Sequence, residues 1–378
     1  MNTLFKYNGP VTGRDFIGRK DDIGLISRLL TTGESLVVYG EPGVGCNSIV
    51  KESLARLKMN KTNFELADID LLRARSVGDI LLQFADGLVS SCASSPSQYR
   101  EMVETFLQGT HFSINQKQYG RPGPALSLDG LPDETDMDRV FDLPSSLSSF
   151  RHCRLIVLVR QLQNVFFSDD PDRLLRGLEK VVERRDADCS FIFTGSQYNM
   201  LREIFDVKKY FWHSVYRLVP SKVDTLQIVD NIYGKFQSYG KVLQRDLISN
   251  AVGQLRCNMR YVNHLFSLVD AISKGFINSD TVSDAMDVML STYKPGFLRN
   301  VYSLTDFQLR MLKAIVDGET RLSATSVVNR YRLSSSANVK RLKDALVKKE
   351  LVWFDDEDVP HIQDPLFEYW LRKEYFAV

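Results

Sequence analysis

The stretch GEPGVGCNS, residues 40–48, has the glycine spacing of a loop that wraps phosphate groups in main-chain amides. Gly40 and Gly45 stand at the ends of the Gly-x-x-x-x-Gly frame with Gly43 between them, so the amide cradle can form without any side chain. In the complete pattern, Gly-x-x-x-x-Gly-Lys-Ser/Thr, the lysine reaches the β- and γ-phosphates and the hydroxyl ligates Mg²⁺. Here the lysine position is Cys46, the hydroxyl position is Asn47, and Ser48 falls one residue late. Phosphoryl transfer depends on placed positive charge and an oriented water, and removing one such element commonly costs about 2.7–4 kcal/mol. The residues therefore predict phosphate contact with little or no turnover, and no catalytic residue is assigned. Cys46 admits two readings, a thiol activated by the helix start or a small packing residue.

The elements needed to hold such a loop are legible in the sequence around it. LVVY (36–39) reads as a strand, and NSIVKESLARLK (47–58), with Ile49, Leu54 and Leu57 at helical spacing, as the helix after the loop. FELADID (64–70) reads as a strand and 76–89 as a helix capped by Ser76 with Asp79 three residues on. The nearly all-apolar CRLIVLV (153–159) suits a strand covered on both faces, and helix 171–185 followed by CSFIFTG (189–195) continues the alternation. The fold class is thus α/β with an open parallel sheet. Residues 91–150, rich in Pro, Gly and Ser, interrupt the pattern and read as an insertion, largely loop, with a hairpin at 110–128. After Pro220 the strands stop; helical patterns at 223–237, 243–255, 258–273 and 279–292 give a helical domain. From Ser303 the order helix, helix, helix (336–349), LVWF (351–354), acidic turn DDEDVP, HIQ is that of a winged helix. The resulting division is 1–220, 221–302 and 303–378.

These landmarks together resemble the prokaryotic AAA+ ATPase family related to archaeal ATPases and STAND NTPases, which joins a P-loop core, a helical lid and a winged helix. FIGRKDDIGLISRLL (16–30) is similar to the family's entry box, which helps enclose the adenine; FIFTGSQYNMLREIF (191–205) to its sensor-1 strand; DPLFEYWLR (364–372) to its closing motif. The resemblance implies an Asp-Glu pair after the third core strand, the Asp holding the metal's water shell and the Glu polarising the attacking water. In LIVLVRQLQNV those positions fall on Arg160 and Gln161, which cannot ligate a cation or act as a general base. Both Walker motifs are therefore degenerate. Arg160 either brings charge to a phosphate or pairs with an acid such as Glu41 or Asp68. The resemblance also places Ser196 at sensor 1, a residue that also reads as ordinary turn chemistry, and Arg260 at sensor 2, which also reads as a surface cation. It implies an arginine reaching a neighbouring subunit near YFWHSVYRLVP (210–220), where Trp212 or His213 falls at the slot and Arg217 is displaced. Two readings of the loop stay open: it is empty or holds only an anion, or it holds the cofactor the resemblance implies, ADP or ATP without a well-formed Mg²⁺ site.

The helix 336–349 carries Lys340, Arg341, Lys343, Lys348 and Lys349 against Asp344, a local basic excess that suits nucleic acid in a helix-turn-helix module and equally a solvated face, while the acidic wing opposes phosphate. A net charge of +1 across 378 residues excludes a global pull toward nucleic acid or anionic membrane. Five scattered cysteines without a CxxC pair and five histidines without ligand spacing indicate neither a disulfide framework nor a metal site, and a reducing cytoplasm is expected. No apolar run of membrane-spanning length occurs, so no membrane role is expected. Three functions fit: a scaffold or adaptor with a protein partner or a second copy of itself, an ATPase switch completed by a partner's catalytic groups, and a winged-helix DNA-binding regulator.

Overall fold

A computed structural model describes residues 4–115, 125–184 and 188–376, which form two compact units. The first holds Lys20–Gly40 and Ile49–Pro220. Its helix α1 (Lys20–Thr31) buries Ile23, Ile26 and Leu30, one helical stripe, and leads to strand β1 (Ser35–Val38), buried at every position. After the glycine loop comes α2 (Cys46–Met59), then β2 (Phe64–Asp70) and α3 (Val77–Cys92), whose Ser76–Asp79 capping box forms as its spacing predicts.

Next come α4 (Pro96–Phe106), strands β3 (Phe112–Ile114) and β4 (Leu126–Leu128), and α5 (Glu134–Arg151). This segment corrects the expectation of a largely loop insertion. Its polar and Pro-rich signals are helix starts: Ser95 caps α4 with Pro96 in the first turn, and Asp133 and Asp136 close a capping box on α5. Pro144 lies inside α5, where a Pro reads from sequence as a break. The hairpin is present as the antiparallel pair β3–β4; its intended tip at 116–124 lies outside the described residues. His111 and Asp136 clasp hairpin to helix, the buried Asp136 accepting from the His111 amide at 2.7 Å and facing its ring nitrogen at 2.8 Å.

Strand β5 (Arg154–Arg160), α6 (Pro171–Glu183), β6 (Cys189–Thr194), α7 (Tyr198–Arg202) and β7 (Val215–Leu218) complete the sheet. Its order is β2-β5-β6-β1-β7 with every pairing parallel. The chain crosses from one side of β1 to the other, and ligands of such sheets sit beyond the carboxyl ends of the strands at such a crossover. The glycine loop begins there.

The second unit gathers Met1–Arg19, Glu41–Ser48 and Ser221–Val378. Helices α8 (Thr225–Ser238), α9 (Arg245–Gln254), α10 (Met259–Ile272) and α11 (Ser279–Tyr302) follow the sequence periodicity, except that α11 runs ten residues past position 292, through Pro295. The expectation that strands stop at Pro220 is corrected: β8 (Val242–Leu243) and β9 (Phe276–Ile277) pair in parallel, too short to register as alternation. The winged helix follows: α12 (Asp306–Val316), α13 (Thr325–Arg330), α14 (Ser336–Lys348), β10 (Val352–Phe354), β11 (Pro360–Ile362) and α15 (Pro365–Trp370). Lid helices and winged helix share one hydrophobic core, in which Phe297 of α11 packs 5.3 Å from Phe367 and 5.7 Å from Trp370.

The packing of α5 on α6 generates a stability prediction. A Cβ on Gly177 would lie 2.5 Å from the buried ring of Phe141. Gly177→Ala gains about 1 kcal/mol of helix propensity but incurs about 1–3 kcal/mol of overpacking, so a net loss is expected. Urea unfolding should show a lower midpoint at unchanged slope.

Candidate functional site

The phosphate loop is shaped by glycine. Gly43 at φ 83° and Gly45 at φ 101° occupy the left-handed region, which strains any side-chain-bearing residue. At Gly43 a Cβ would also meet the amide of Asn258 at 2.5 Å. Asn258, buried at 7 % exposure, caps α10 and donates from Nδ2 to the Pro42 carbonyl at 2.8 Å. Trp353 of β10 donates its indole N–H to Glu41 at 2.9 Å. The Ser48 hydroxyl, one residue beyond the usual metal-ligating position, accepts from the Val11 amide at 3.1 Å. Side chains or main chain from the N-terminal segment, the lid and the wing thus grip the loop within one unit.

Cys46 stands at the lysine position, 9 % exposed, and burial pushes its thiol up to about 12, with the nearby Arg19 charge opposing. Its burial suits the packing reading of Cys46, since the thiolate is the nucleophile. Asn47, at the hydroxyl position, is exposed.

Within the sheet unit, the positions that the resemblance assigns to the acidic pair are tied up. Arg160, at the end of β5, donates to Asp68 at 2.6 Å and pairs with Asp70 at 3.2 Å, both on the adjacent β2. Of its two readings, pairing with a local acid is the one realised, with Asp68 and not Glu41. Gln161 takes a left-handed φ of 60°, and its Oε1 accepts from the Ser196 hydroxyl at 2.8 Å and from Gln163 at 2.7 Å. The structure thus joins Gln161 to Ser196, with 98 % buried Gln163 completing an amide–hydroxyl cluster.

Arg260 lies 6.0 Å from the Tyr261 ring and 5.9 Å from that of Tyr293, a lid aromatic cluster. Tyr261 donates to Asp364 at 2.7 Å, fastening the lid to the closing motif, and burial holds the Asp364 carboxyl above its usual range. Near the expected subunit-reaching arginine, Arg217 stacks 4.3 Å over Trp212 and pairs with Asp206 at 3.6 Å. On α14, Lys343 is drawn to Asp358 of the wing at 2.5 Å, and Lys349, at its C-cap, to the Ser303 carbonyl at 3.1 Å, while Lys340, Arg341 and Lys348 are exposed. Asp133, Asp136 and His111 lie close enough to suggest a metal cluster, but Asp136 already accepts from His111 and from the Asp133 amide.

Sequence reasoning did not find Asn258 or Trp353 as loop partners. Asn258 was visible only as a residue near a helix start, and nothing local marks a tryptophan whose partner is 312 residues away.

Residues 295–373 match a family described as "Probable winged helix domain". The chain is similar to the Walker-type ATPase PABY2304 of Pyrococcus abyssi, with TM-score 0.65, 17% identity, and coverage of 98% of this chain and 99% of that one. It is also similar to the ORC2 protein of Aeropyrum pernix in its ADPNP–ADP complexes, with TM-score 0.60, 14% identity, and coverage of 100% and 99%. The chain has the fold of an AAA+-like P-loop ATPase carrying a C-terminal winged helix. No curated protein matches the sequence. No helix among the described residues is long and apolar enough to cross a membrane.

The buried state of Cys46 yields a chemical prediction. Iodoacetamide at pH 8 should leave Cys46 unmodified in the folded protein and label it rapidly in urea, as read by peptide mass spectrometry. Alkylation of native protein at the rate of an exposed thiol would contradict the packing assignment.

Proposed function

We propose that this chain is a non-hydrolysing AAA+-like scaffold or adaptor whose phosphate loop holds a nucleotide without a metal ion. The observation that carries this reading is the commitment of Arg160 to Asp68 and Asp70, which puts a cation where the catalytic fold needs a metal-binding acid. A guanidinium offers no oxygen to Mg²⁺, and the hydroxyl one residue past the usual position is engaged by the Val11 amide. The glycine-shaped amides and the positive end of α2 require no metal to attract a phosphate. The second compact unit, in which lid, winged helix and loop pack together, suits a part that presents surfaces to a protein partner or a second copy. A nucleic-acid role would fall to Lys340, Arg341 and Lys348, since Lys343 is neutralised by the wing.

Calorimetric titration of the full chain tests the reading. ADP is expected to bind with the same affinity in EDTA and in excess Mg²⁺, and ATP no more than a few-fold differently. A tenfold or greater gain with Mg²⁺ would show a working metal site, and no binding of either nucleotide would remove the nucleotide from the proposal.

A further inference from the structure

The phosphate loop lacks its own lysine, but a cation stands beside it from another part of the chain. Gly18 and Arg19 both take left-handed conformations, φ 67° and 55°, so the entry box makes a tight two-residue turn ahead of α1. The turn is pressed against α8, where a Cβ on Gly18 would meet Gln227 at 2.7 Å. Arg19 is an L-residue in a conformation that disfavours one, a strain the local structure must offset. Its Nε is fixed by donation to the Ser221 carbonyl at 2.8 Å. Its Nη1 lies 3.0 Å from the point where a Cβ of Gly45 would be, directly against the last glycine of the phosphate loop. The next residue is Cys46, neutral and buried, so the Arg19 charge meets no thiolate there.

We infer that Arg19 replaces the missing P-loop lysine, supplying the positive charge that lets the Gly40–Ser48 loop hold the diphosphate of a nucleoside diphosphate without Mg²⁺. The inference rests on the metal-free nucleotide reading above and names the residue that makes it work. A lysine at the usual position is a point charge on a flexible stem, whereas the guanidinium presents a fixed fork of donors suited to two phosphate oxygens. The anchoring of Nε by Ser221 orients that fork, and the glycine at 45 permits its close approach. The usual lysine position could then pass to a packing residue without loss of the site's cation.

The test is titration of the full chain with ADP, and separately with inorganic pyrophosphate, in EDTA. Arg19→Gln should weaken ADP by about 10- to 100-fold, the range for one lost charge-assisted contact, with thermal unfolding used to confirm the fold. Arg19→Lys, which keeps the charge, should lose less than Arg19→Gln. Cys46→Lys placed in the Arg19→Gln background should recover most of the affinity, a rescue that a merely structural role for Arg19 would not permit. Pyrophosphate should follow the same order if the contact is to the diphosphate. Wild-type binding that Arg19→Gln leaves unchanged, or a loss that Cys46→Lys does not recover, overturns the assignment of Arg19 alone. Absence of any wild-type binding overturns the metal-free nucleotide reading itself.

Discussion

Residues 40–48 turn through left-handed φ angles at Gly43 and Gly45, and that backbone constraint is what the surrounding unit is built to hold. Main-chain amides point where the backbone sends them, irrespective of the side chains beside them, so the cradle survives replacement of the lysine and hydroxyl that ordinarily act within it. Asn258, Trp353 and Val11 all take hold of this loop, from the lid, the wing and the N-terminal segment. These contacts are placed by the packing of one shared hydrophobic core, running from Phe5 through Phe297 to Trp370. Loop geometry therefore depends on elements hundreds of residues apart.

The sheet unit follows a parallel logic. Strand pairing sets Asp70 opposite Arg160 in register, and Asp68 lies on the same face of β2 two residues back. An arginine at the end of β5 therefore meets two carboxylates and satisfies them. Next to it Gln161 turns left-handed and joins Ser196 and Gln163 through neutral hydrogen bonds. An acid pair at those positions would carry negative charge; the amides and hydroxyl carry none.

The fold was legible because its signals are local. Apolar runs such as RLIVLVR mark fully covered strands, and the lid helices show their 3.6-residue stripes. The segment after Cys92 reads as loop from sequence because Ser95-Pro96 and Asp133 are caps as readily as loop residues, and only packing against neighbouring helices distinguishes the two. Strand β7 and the two-residue strands β8 and β9 carry too little alternation to be seen. At the site, the substitutions at 46, 47, 160 and 161 were plain from spacing, whereas the partners that define their chemistry were not. Whether Arg160 met a phosphate or Asp68 depended on strand register, and the approach of Trp353 to Glu41 on tertiary packing.

The central claim is that the cradle has outlasted the cleavage chemistry, and steady-state phosphate release from Mg²⁺·ATP by the purified full chain tests it most directly. The account predicts release no faster than in protein-free controls at any ratio of Mg²⁺ to ATP. Brisk magnesium-dependent release, abolished by substitution of Gln161, would contradict it.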